Sequence, residues 1–594
     1  GSRFGNLMKY EPGKNYHVEA ILSVTDRNIQ VFVDGKRVGL RMFYAPVPAI
    51  ERIAFRTGVP RTFPTVDTPA DQTYDLPNAG DQEPLAEYRI ANVKTSSVDK
   101  DATAAVLKYA DFSHYADYFN GMEDENIAQA IPNAKASEWM EENIPLFECP
   151  QRNFEEMYYY RWWSLRKHIK ETPVGYGMTE FLVQRSYSDK YNLIACAIGH
   201  HIYESRWLRD PKYLDQIIHT WYRGNDGGPM NKMNKFSSWN ADAVLARYMV
   251  DADKDFMLDM KENLEAEYQR WEYTNRLQNG LYWQGDVQDG MEESISGGRK
   301  KKYARPTINS YMYGNAKALS LMGILSDDEG MAMRYGMRAD TLKRLVQDKL
   351  WNSRHQFFET MRADSSANVR EAIGYIPWYF NLPDTVKQYE VAWKEIMDEN
   401  GFSAPYGLTT AERRHPEFRT HGVGKCEWDG AIWPFASAQT LTAMANFMNN
   451  YPQRVLSDSV YFRQMELYVE SQYHRGRPYI GEYLDEVTGY WLKGDQERSR
   501  YYNHSTFNDL MITGLIGLRP RLDDTVEVNP LIPADKWDWF CLDNVLYHGR
   551  NLTILWDKYG DRYHRGKGLR IFVDGKQVGY ADRLTRIICE NVLK

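Results

Sequence analysis

The chain has 594 residues, of which 43% are hydrophobic and 26% are charged, and these proportions are those of a folded globular protein. Its 73 basic side chains are outnumbered by 81 acidic ones, which argues against the basic surface that nucleic-acid binding requires. No apolar run reaches the roughly 18 to 20 residues that a membrane span needs. We therefore expect a large multidomain protein that binds no nucleic acid and has no membrane span.

Most of the aromatic residues combine a flat face with a polar edge. The chain contains 42 Tyr and 17 Trp, against 23 Phe. Sugar rings bind on the flat faces of such side chains, but large helical proteins also place them between packed helices. The aromatic composition favours carbohydrate binding and leaves helix packing open as an alternative for each residue.

The cysteines and the paired histidines do not specify a metal site. The five cysteines are odd in number and scattered without a Cys-x-x-Cys pair, so we expect free thiols rather than a disulfide framework or a zinc site. His200 and His201 are neighbours on a predicted helix, where adjacent side chains point about 100° apart and cannot bind one ion together. We predict no metal and no cofactor.

Strand patterns occupy both ends of the chain. Apolar and polar positions alternate over residues 15–56, and a Val-Phe-Val run ends at Asp34-Gly35, a strong hairpin signal. Residues 572–576 repeat the same Phe-Val-Asp-Gly-Lys sequence, which predicts the same hairpin near the other end. Residues 59–88 are rich in Pro, Asp and Thr and are predicted to form an extended connector.

The middle of the chain carries apolar residues at helical spacing. The capping-box sequence Ser326-Asp-Asp-Glu329 marks one helix start. Because so many helices follow one another with few strand signals between them, we expect helical hairpins closed into a ring. The predicted helices are 154–170, 192–207, 239–250, 256–273, 311–325, 342–350, 385–397, 431–447, 457–473 and 505–518.

Beyond residue 521 the strand pattern returns, at 525–528, 552–555 and 569–573. The predicted architecture is multidomain and mainly α, with a helical unit flanked by N-terminal and C-terminal β-sandwich-like segments. We place a β-rich fragment with its connector at 1–98, the helical unit at 99–520 and a C-terminal β domain at 521–594.

Four clusters of polar and aromatic residues lie between the predicted helices, where a rigid scaffold displays a site on its loops. The first, at 279–298, holds the carboxylates Asp286, Asp289 and Glu292 between glycines that let the backbone approach a ligand. The other clusters are 305–314, 427–433 at the start of a helix, and 481–491.

Cleavage of a glycosidic bond requires two carboxylates on separate elements. One protonates the leaving oxygen, and the other, ionised, activates water or attacks the anomeric carbon. The carboxylate-rich loops at 285–297 and 481–489, with a Trp-Asp-Gly loop between them, fit this chemistry. Alternatives stay open: Asp286 or Glu293 can cap a helix or belong to a calcium-type loop, and Glu482 can be a surface carboxylate.

Two of these loops resemble the catalytic loops of the trehalase and processing α-glucosidase clan. The sequence DGMEESISG is similar to the clan's catalytic-acid loop, and GEYLDEVTG is similar to its catalytic-base loop, Glu-x-Tyr-x-x-x-x-Gly. The region from 110 to 594, with RPTINSYMYG and EWDGAIWPFA, resembles glycoside hydrolase family 142. The segment FRTGVPRTFPTVDTPADQTYDLP resembles the tail of a sialidase-like family 143 module.

The resemblance implies an (α/α)6 barrel whose site lies in the funnel between the helix-joining loops. It places Glu482 at the catalytic base and Glu292 at the acid position, where the clan has an Asp. Asp289 lies three residues before Glu292 and is the alternative acid. Family 142 members act on the pectin rhamnogalacturonan II as β-L-arabinofuranosidases within multimodular proteins. The resemblance thus implies an exo-acting hydrolase in an extracellular or periplasmic multimodular chain.

The leading prediction is a glycosidase that releases a terminal sugar, with a carbohydrate as its partner. Two alternatives remain: an α-glucosidase or trehalase-like hydrolase on the same fold, and a non-catalytic carbohydrate-binding protein that keeps the aromatic funnel. We expect one pocket lined by residues from the converging loops, namely Trp239, Asn240, Asp286, Arg305, Asn309, Trp428, Asp429 and Trp433.

Overall fold

The computed structural model describes residues 11–23, 28–42, 90, 105–385 and 389–593. The chain divides into two compact units, residues 1–98 and 99–594. The predicted connector at 59–88 lies outside the described residues.

The described part of the first unit is an antiparallel meander that contains the predicted Asp-Gly hairpin. Strand β1 (Val18–Ser23) pairs with β2 (Asn28–Val33), and β2 pairs with β3 (Lys36–Met42). Asp34 (φ 50°) and Gly35 (φ 80°) both adopt the positive φ that this two-residue turn requires. The Asp34 carboxylate accepts a 2.8 Å hydrogen bond from His17 N, which ties the turn to β1.

The second unit begins with a helical part, in which two helices start directly after loops that were predicted to be functional. The helices at Pro306–Leu325 and Pro434–Asn450 each begin with proline, which lacks the N–H that the first turn would leave unpaired. The α-helices of the described residues are α1 (Ser113–Asn120), α2 (Ala136–Asn143), α3 (Arg152–Arg166), α4 (Ile198–Ser205), α5 (Lys212–Arg223), α6 (Asn240–Asp251), α7 (Lys254–Asp259), α8 (Lys261–Asn275), α9 (Pro306–Leu325), α10 (Glu329–Lys349), α11 (Ile376–Tyr379), α12 (Pro434–Asn450), α13 (Asp458–Glu470) and α14 (Asn508–Leu510).

Short antiparallel strand pairs lie between these helices, and longer strands follow them. The strands are β4 (Leu146–Glu148), β5 (Ile169–Thr172), β6 (Gly175–Met178), β7 (Trp283–Gln284), β8 (Tyr303–Ala304), β9 (Trp351–Asn352), β10 (Phe357–Phe358), β11 (Met361–Arg362), β12 (Ser365–Ser366), β13 (Ser403–Ala404), β14 (Gly407–Leu408), β15 (Tyr473–His474), β16 (Arg477–Pro478), β17 (Leu518–Arg519), β18 (Val526–Val528), β19 (Trp539–Tyr547), β20 (Arg550–Asp557), β21 (Gly568–Val573), β22 (Lys576–Ala581) and β23 (Ile587–Cys589).

The C-terminal strands form a five-stranded sheet of order β22-β21-β20-β19-β4 and a three-stranded sheet of order β17-β18-β23. The edge strand β4 comes from the start of the helical part, so the C-terminal sheet incorporates a distant segment. The second Asp-Gly turn repeats the first: Asp574 (φ 47°) and Gly575 (φ 76°) join β21 to β22, and Asp574 Oδ1 accepts from Asn551 N at 2.9 Å. The sequence repeat thus encodes one hairpin geometry twice.

The predicted order of a β segment, a helical unit and a second β segment is confirmed. Closure of the helices into an (α/α)6 barrel and the boundaries 1–98, 99–520 and 521–594 stay predictions. Across the ranges that the structure describes, no helix combines the length and the apolar composition of a membrane-crossing segment.

The prediction that Ser326 caps the helix that follows it is wrong. Helix α10 begins at Glu329, and it is the Asp328 side chain that accepts a 2.9 Å hydrogen bond from Met331 N. Ser326 instead closes the preceding helix, where its hydroxyl donates to Met322 O at 2.8 Å. Ser326 and Asp328 are both suitable N-cap residues, and helix α10 uses Asp328, which is closer to its first residue.

Two predicted helices differ in type or extent from the prediction. The segment 505–518 is helical only from Asn508, as α14 followed by a π-helical turn at Met511–Leu515. Its start is set by Glu204, whose carboxylate accepts hydrogen bonds of 2.8 to 3.0 Å from the backbone amides of 507–509. The segment 385–397 forms a 3-10 helix at Tyr389–Ile396, and residues 386–388 lie outside the described residues.

Candidate active site

Three glutamates, Glu180, Glu292 and Glu482, form an electrostatically coupled cluster in the helical part. Glu180 and Glu482 are buried and Glu292 is half-buried. Burial, and after it the charges of Glu482 and Glu292, raise the pKa of Glu180 to about 8. Burial, and after it the charge of Glu482, raise the pKa of Glu292 to about 7.

Contacts between their loops place the three glutamates in one region. Tyr502, which binds Glu180, donates from its backbone N to Ile480 O at 3.2 Å. Glu293 Oε1 lies 3.8 Å from Nζ of Lys425, whose backbone oxygen accepts a hydrogen bond from the Tyr483 hydroxyl.

Glu482 lies between two cations. Its Oε2 is 3.4 Å from Lys493 Nζ and 3.2 Å from Arg498 Nη2, and it accepts a 3.4 Å hydrogen bond from Ser499 Oγ. Lys493 Nζ also lies 4.9 Å from the centroid of the Tyr483 ring. Opposite charges at these distances stabilise a carboxylate, so the surroundings of Glu482 suit a base or a nucleophile.

In the loop that carries Glu292, the neighbouring Glu293 is paired with cations. Glu293 has a φ of 65°, a left-handed conformation that costs a non-glycine residue roughly 1–2 kcal/mol. Its Oε1 accepts a 2.9 Å hydrogen bond from Arg299 Nε and lies 3.8 Å from Lys425 Nζ. Gly290 (φ 77°) packs so tightly that an added Cβ would lie 2.6 Å from Cys196 Sγ. The loop therefore neutralises Glu293 with cations and leaves Glu292 coupled to Glu482.

Asp289, the alternative acid, takes part in a fully buried ion pair. Its Oδ2 accepts a 2.8 Å hydrogen bond from Arg305 Nε, and both side chains are 0% exposed. The same oxygen accepts a hydrogen bond from the Thr307 hydroxyl, in the first turn of α9. Asp289 is thus held as a carboxylate that fastens the loop to the start of a helix.

Asn309 and Asp286 also hold this loop in place. Asn309 Oδ1 accepts from Tyr282 N at 2.8 Å, and its Nδ2 donates to Tyr282 O at 2.9 Å and to Arg305 O at 2.8 Å. Asp286 Oδ1 accepts from Val287 N at 2.8 Å. Burial raises the pKa of Asp286, against the lowering effect of Arg305. Both side chains therefore shape the backbone around Glu292.

The loop that carries Glu482 pairs directly with the Trp-Asp-Gly loop at 427–433. Ile432 and Leu484 exchange backbone hydrogen bonds of 3.0 Å in both directions. Gly481 is required at its position because an added Cβ would lie 2.7 Å from the rings of both Tyr479 and Trp491. This pairing fixes the position of Glu482 relative to the start of α12.

Arg419 joins the same two loops through ion pairs. Its Nη2 lies 2.6 Å from Glu427 Oε2 in the Trp-Asp-Gly loop. Its Nη1 lies 3.3 Å from Asp485 Oδ2 and also contacts Glu486, both in the Glu482 loop. Against the lowering effect of burial, these three acids raise the pKa of Arg419. Arg419 was not among the residues predicted from the sequence.

Trp428, Trp433 and Tyr483 form a continuous stack across the two loops. The Trp428 and Trp433 rings lie 4.4 Å apart with an interplanar angle of 17°, and Trp433 and Tyr483 lie 4.6 Å apart at 16°. Both tryptophan Nε1 atoms are buried without a hydrogen-bond partner among the described residues. Since Tyr483 follows Glu482 in the chain, the stack connects these two tryptophans to Glu482.

Trp239 belongs to the same aromatic region. Its ring lies 6.3 Å from Phe435, which in turn lies 6.0 Å from Trp428. Trp239 is completely buried, and Asn240 donates from Nδ2 to Glu267 Oε1 at 3.0 Å. The two residues therefore lie in the core near the aromatic stack, and contact with a sugar stays a prediction for both.

The Asp429 side chain, like that of Asn309, binds the backbone of a neighbouring loop. Its Oδ2 accepts hydrogen bonds from His421 N at 2.6 Å and Gly422 N at 3.0 Å, which hold the preceding loop against it. Of the predicted sugar-binding residues, Arg305 and Asn309 thus bond mainly to the protein itself, whereas Asp429 Oδ1 is buried without a hydrogen-bond partner among the described residues.

Glu180, Tyr502 and His504 were not predicted from the sequence. The Tyr502 hydroxyl donates to Glu180 Oε1 at 2.6 Å, and the Tyr502 and His504 rings meet edge to face at 3.9 Å. Burial lowers the pKa of His504 well below its usual range, so the ring is neutral. The Tyr-Tyr-Asn-His run at 501–504 is a polar and aromatic cluster before a predicted helix and offered a signal. Glu180 stands in no comparable pattern.

The cluster offers a carboxyl group that is half protonated near neutral pH beside a carboxylate held by cations. Environments that separate two carboxyl groups in this way are typical of acid–base catalysis. Within residues 11–23, 28–42, 90, 105–385 and 389–593, no three His, Cys, Asp or Glu side chains are grouped so that they could hold a metal ion.

Three segments of the chain match known families. Residues 190–505 match the mannosylglycerate hydrolase MGH1-like glycoside hydrolase domain, and residues 1–72 match a sialidase-like carbohydrate-binding (CBM) domain. Residues 518–579 match the C-terminal domain of glycosyl hydrolase family 65. The first match contains Glu292 and Glu482.

Solved structures include similar chains. One named sialidase is 90% identical with a TM-score of 0.83, and the match covers 100% of this chain and 55% of that one, so this chain spans about half of its length. The GH63 mannosylglycerate hydrolase from Thermus thermophilus in complex with glucose is 13% identical, with 60% and 99% coverage and a TM-score of 0.45. A GH78 family rhamnosidase of Bacillus sp. GL1 is 11% identical, with 72% and 41% coverage and a TM-score of 0.49.

The coarser part of the predicted resemblance, a glycoside hydrolase domain accompanied by a sialidase-like carbohydrate-binding domain, is confirmed. Membership of family 142 and of a family 143 tail stay predictions. The match at 190–505 spans more than half of the 594 residues and includes both carboxylate loops. The chain belongs to the family of mannosylglycerate hydrolase MGH1-like glycoside hydrolase domains.

Proposed function

We propose that the chain is an exo-acting glycoside hydrolase in which Glu292 is the general acid and Glu482 is the base or nucleophile. The observation that carries the proposal is the contrast between the two side chains. The pKa of Glu292 is raised to about 7 by burial and by the charge of Glu482, whereas Glu482 lies between Lys493 and Arg498. Glycosidic cleavage requires one protonated and one ionised carboxyl group.

In the proposed reaction the Glu292 proton passes to the glycosidic oxygen as its bond to the anomeric carbon breaks. Glu482 either takes a proton from the attacking water or forms a bond to the anomeric carbon that water then cleaves. Both routes consume one water and release one sugar and one alcohol. In the covalent route the attacking water returns a proton to Glu292. In the direct route Glu292 ends ionised and Glu482 protonated, and proton exchange with solvent restores both groups.

Glu292 is a better general acid than Asp289 in this account. Asp289 Oδ2 is engaged by Arg305 in a completely buried ion pair and by the Thr307 hydroxyl, so this carboxylate holds the loop in place. Glu292 forms no ion pair in the described part of the chain, so its proton is available for transfer.

The resemblance to family 142 supports β-L-arabinofuranose, released from complex pectin oligosaccharides such as rhamnogalacturonan II. It also supports an extracellular or periplasmic parent protein with further modules.

The competing substrate is an α-glycoside. The matches to an MGH1-like domain and to a family 65 C-terminal domain favour this candidate, and a non-catalytic sugar-binding protein is the further alternative. The name sialidase belongs to a chain about twice as long, and we propose no sialidase activity for the site described above.

Identification of the released monosaccharide tests the proposal. The protein is incubated separately with pectin side-chain oligosaccharides, trehalose, mannosylglycerate and a sialylated oligosaccharide. We expect free L-arabinose from the pectin fragments alone. Glucose or mannose as the product would support the α-glycosidase alternative, and binding without any release would support the non-catalytic one.

A further inference from the structure

A third carboxyl group, Glu180, lies beside the proposed catalytic pair and has no part in the reaction above. Glu180 comes two residues after the end of β6, and its backbone oxygen accepts a 3.0 Å hydrogen bond from Asn503 N. The residue is 5% exposed. Tyr502, whose hydroxyl binds the Glu180 side chain, donates from its backbone N to Ile480 O at 3.2 Å, two residues before Glu482. The charges of Glu482 and Glu292 both act on Glu180, in agreement with this placement.

The hydrogen bonds of Glu180 indicate which of its oxygens carries a proton. Oε1 accepts a 2.6 Å hydrogen bond from the Tyr502 hydroxyl. Oε2 is buried and has no partner among the described residues, within which Glu180 also forms no ion pair. A buried carboxylate in these surroundings is costly, whereas a neutral carboxyl group satisfies Oε1 as an acceptor and presents Oε2–H as a donor.

We propose that Glu180 is a substrate-binding residue whose Oε2–H donates a hydrogen bond to an oxygen of the sugar held between Glu292 and Glu482. The proposal rests on the proposed function. Sugar oxygens are the acceptors that the site receives, and a donor that is buried before binding gains its partner only when the sugar arrives. Tyr502 is the positioning residue, and its ring is held edge to face against Phe181 at 4.5 Å.

Two variants of Glu180 separate the effect of its charge from the effect of its hydrogen-bond donation. Glu180→Gln keeps an acceptor in place of Oε1 and an N–H donor in place of Oε2–H, while Glu180→Ala removes both. At pH 6 we expect Glu180→Gln to keep kcat/KM within about 3-fold of wild type and Glu180→Ala to lower it about 10- to 100-fold.

The pH dependence of sugar binding gives a second readout. Affinity for the released monosaccharide, L-arabinose in the proposed reaction, is measured by calorimetry with and without Glu180→Gln, in protein that keeps Glu482 and its charge. Because burial and the neighbouring charges raise the pKa of Glu180 to about 8, its donor is lost above that pH. We expect affinity to fall between pH 8 and 9.5 only where Glu180 is present.

Tyr115 provides a matched control for the positioning residue. Its hydroxyl donates to Glu155 Oε1 at 2.8 Å, which is the same kind of pair outside the site. We expect Tyr502→Phe to raise KM several-fold and Tyr115→Phe to leave it unchanged.

Two outcomes distinguish failure of this proposal from failure of the proposed function. If wild type hydrolyses a glycoside and Glu180→Ala has the same kcat/KM and sugar affinity, Glu180 does not bind the sugar, although the function stands. If wild type neither hydrolyses nor binds any of the saccharides, both proposals are overturned. If sugar binding has the same pH dependence in the protein that keeps Glu180 and in Glu180→Gln, the role given to Glu180 is also contradicted.

Discussion

Burial and the charge of Glu482 raise the pKa of Glu292 to about 7. A general acid is active only while it is protonated, so its activity is full below this pKa and falls as the pH rises through it. We expect kcat to fall about tenfold for each pH unit above 7. A kcat profile between pH 5 and 9 on the natural substrate measures this limb, and a constant kcat up to pH 9 would contradict the assignment.

Glu292→Gln should lower the rate on a natural substrate by about 10² to 10⁴, because the leaving oxygen is no longer protonated. Substrates with a good leaving group need little protonation, so the loss should be much smaller with an aryl glycoside. Glu293→Gln is the matched control, since the neighbouring side chain pairs with Arg299 and Lys425. Equal losses for both variants on both substrates would indicate a disturbed loop rather than a missing acid.

Asp289→Asn should behave as a structural change. It leaves the buried Arg305 guanidinium without its counter-charge, so we expect the free energy of unfolding to fall by about 3–5 kcal/mol. A good leaving group should not restore the lost activity. Asp398→Asn, which weakens an exposed pair with Arg414, is the control for urea denaturation. Rescue of Asp289→Asn by an aryl glycoside, with unchanged stability, would make Asp289 the acid.

Arg419→Ala should lower kcat by removing the ion pairs that hold the Glu482 loop against the Trp-Asp-Gly loop. A small misplacement of a catalytic group costs up to about 10²-fold in rate, and we expect a loss of about 10-fold or more. Arg414→Ala, at an exposed arginine with three acidic contacts of its own, should leave kcat unchanged. Steady-state kinetics of the two variants measure the difference, and similar kcat values would show that Arg419 does not position Glu482.

The elements that depend on local sequence were predictable. The Asp34-Gly35 and Asp574-Gly575 turns follow from residues that tolerate positive φ, and most long helices follow from apolar spacing. The two loops of the catalytic prediction were found because they concentrate carboxylates, glycines and aromatic residues within a few positions.

The features that depend on distant partners were not predictable. Glu204 sets the start of α14, although 303 to 305 positions of sequence separate it from the backbone amides that it binds. Glu180 joins the site through Tyr502, 322 residues later in the chain. The carboxylate of Asp289 looked as suitable as that of Glu292, because the sequence does not reveal that Arg305 and Thr307 engage it.

The most direct test of the account is the rate of Glu482→Gln on the substrate that wild type hydrolyses, measured as release of the terminal monosaccharide. Without an ionised group at 482, neither activation of water nor attack on the anomeric carbon proceeds. We expect turnover to fall by at least about 10²-fold, with thermal stability and affinity for the sugar largely retained. Hydrolysis at the wild-type rate would contradict the account.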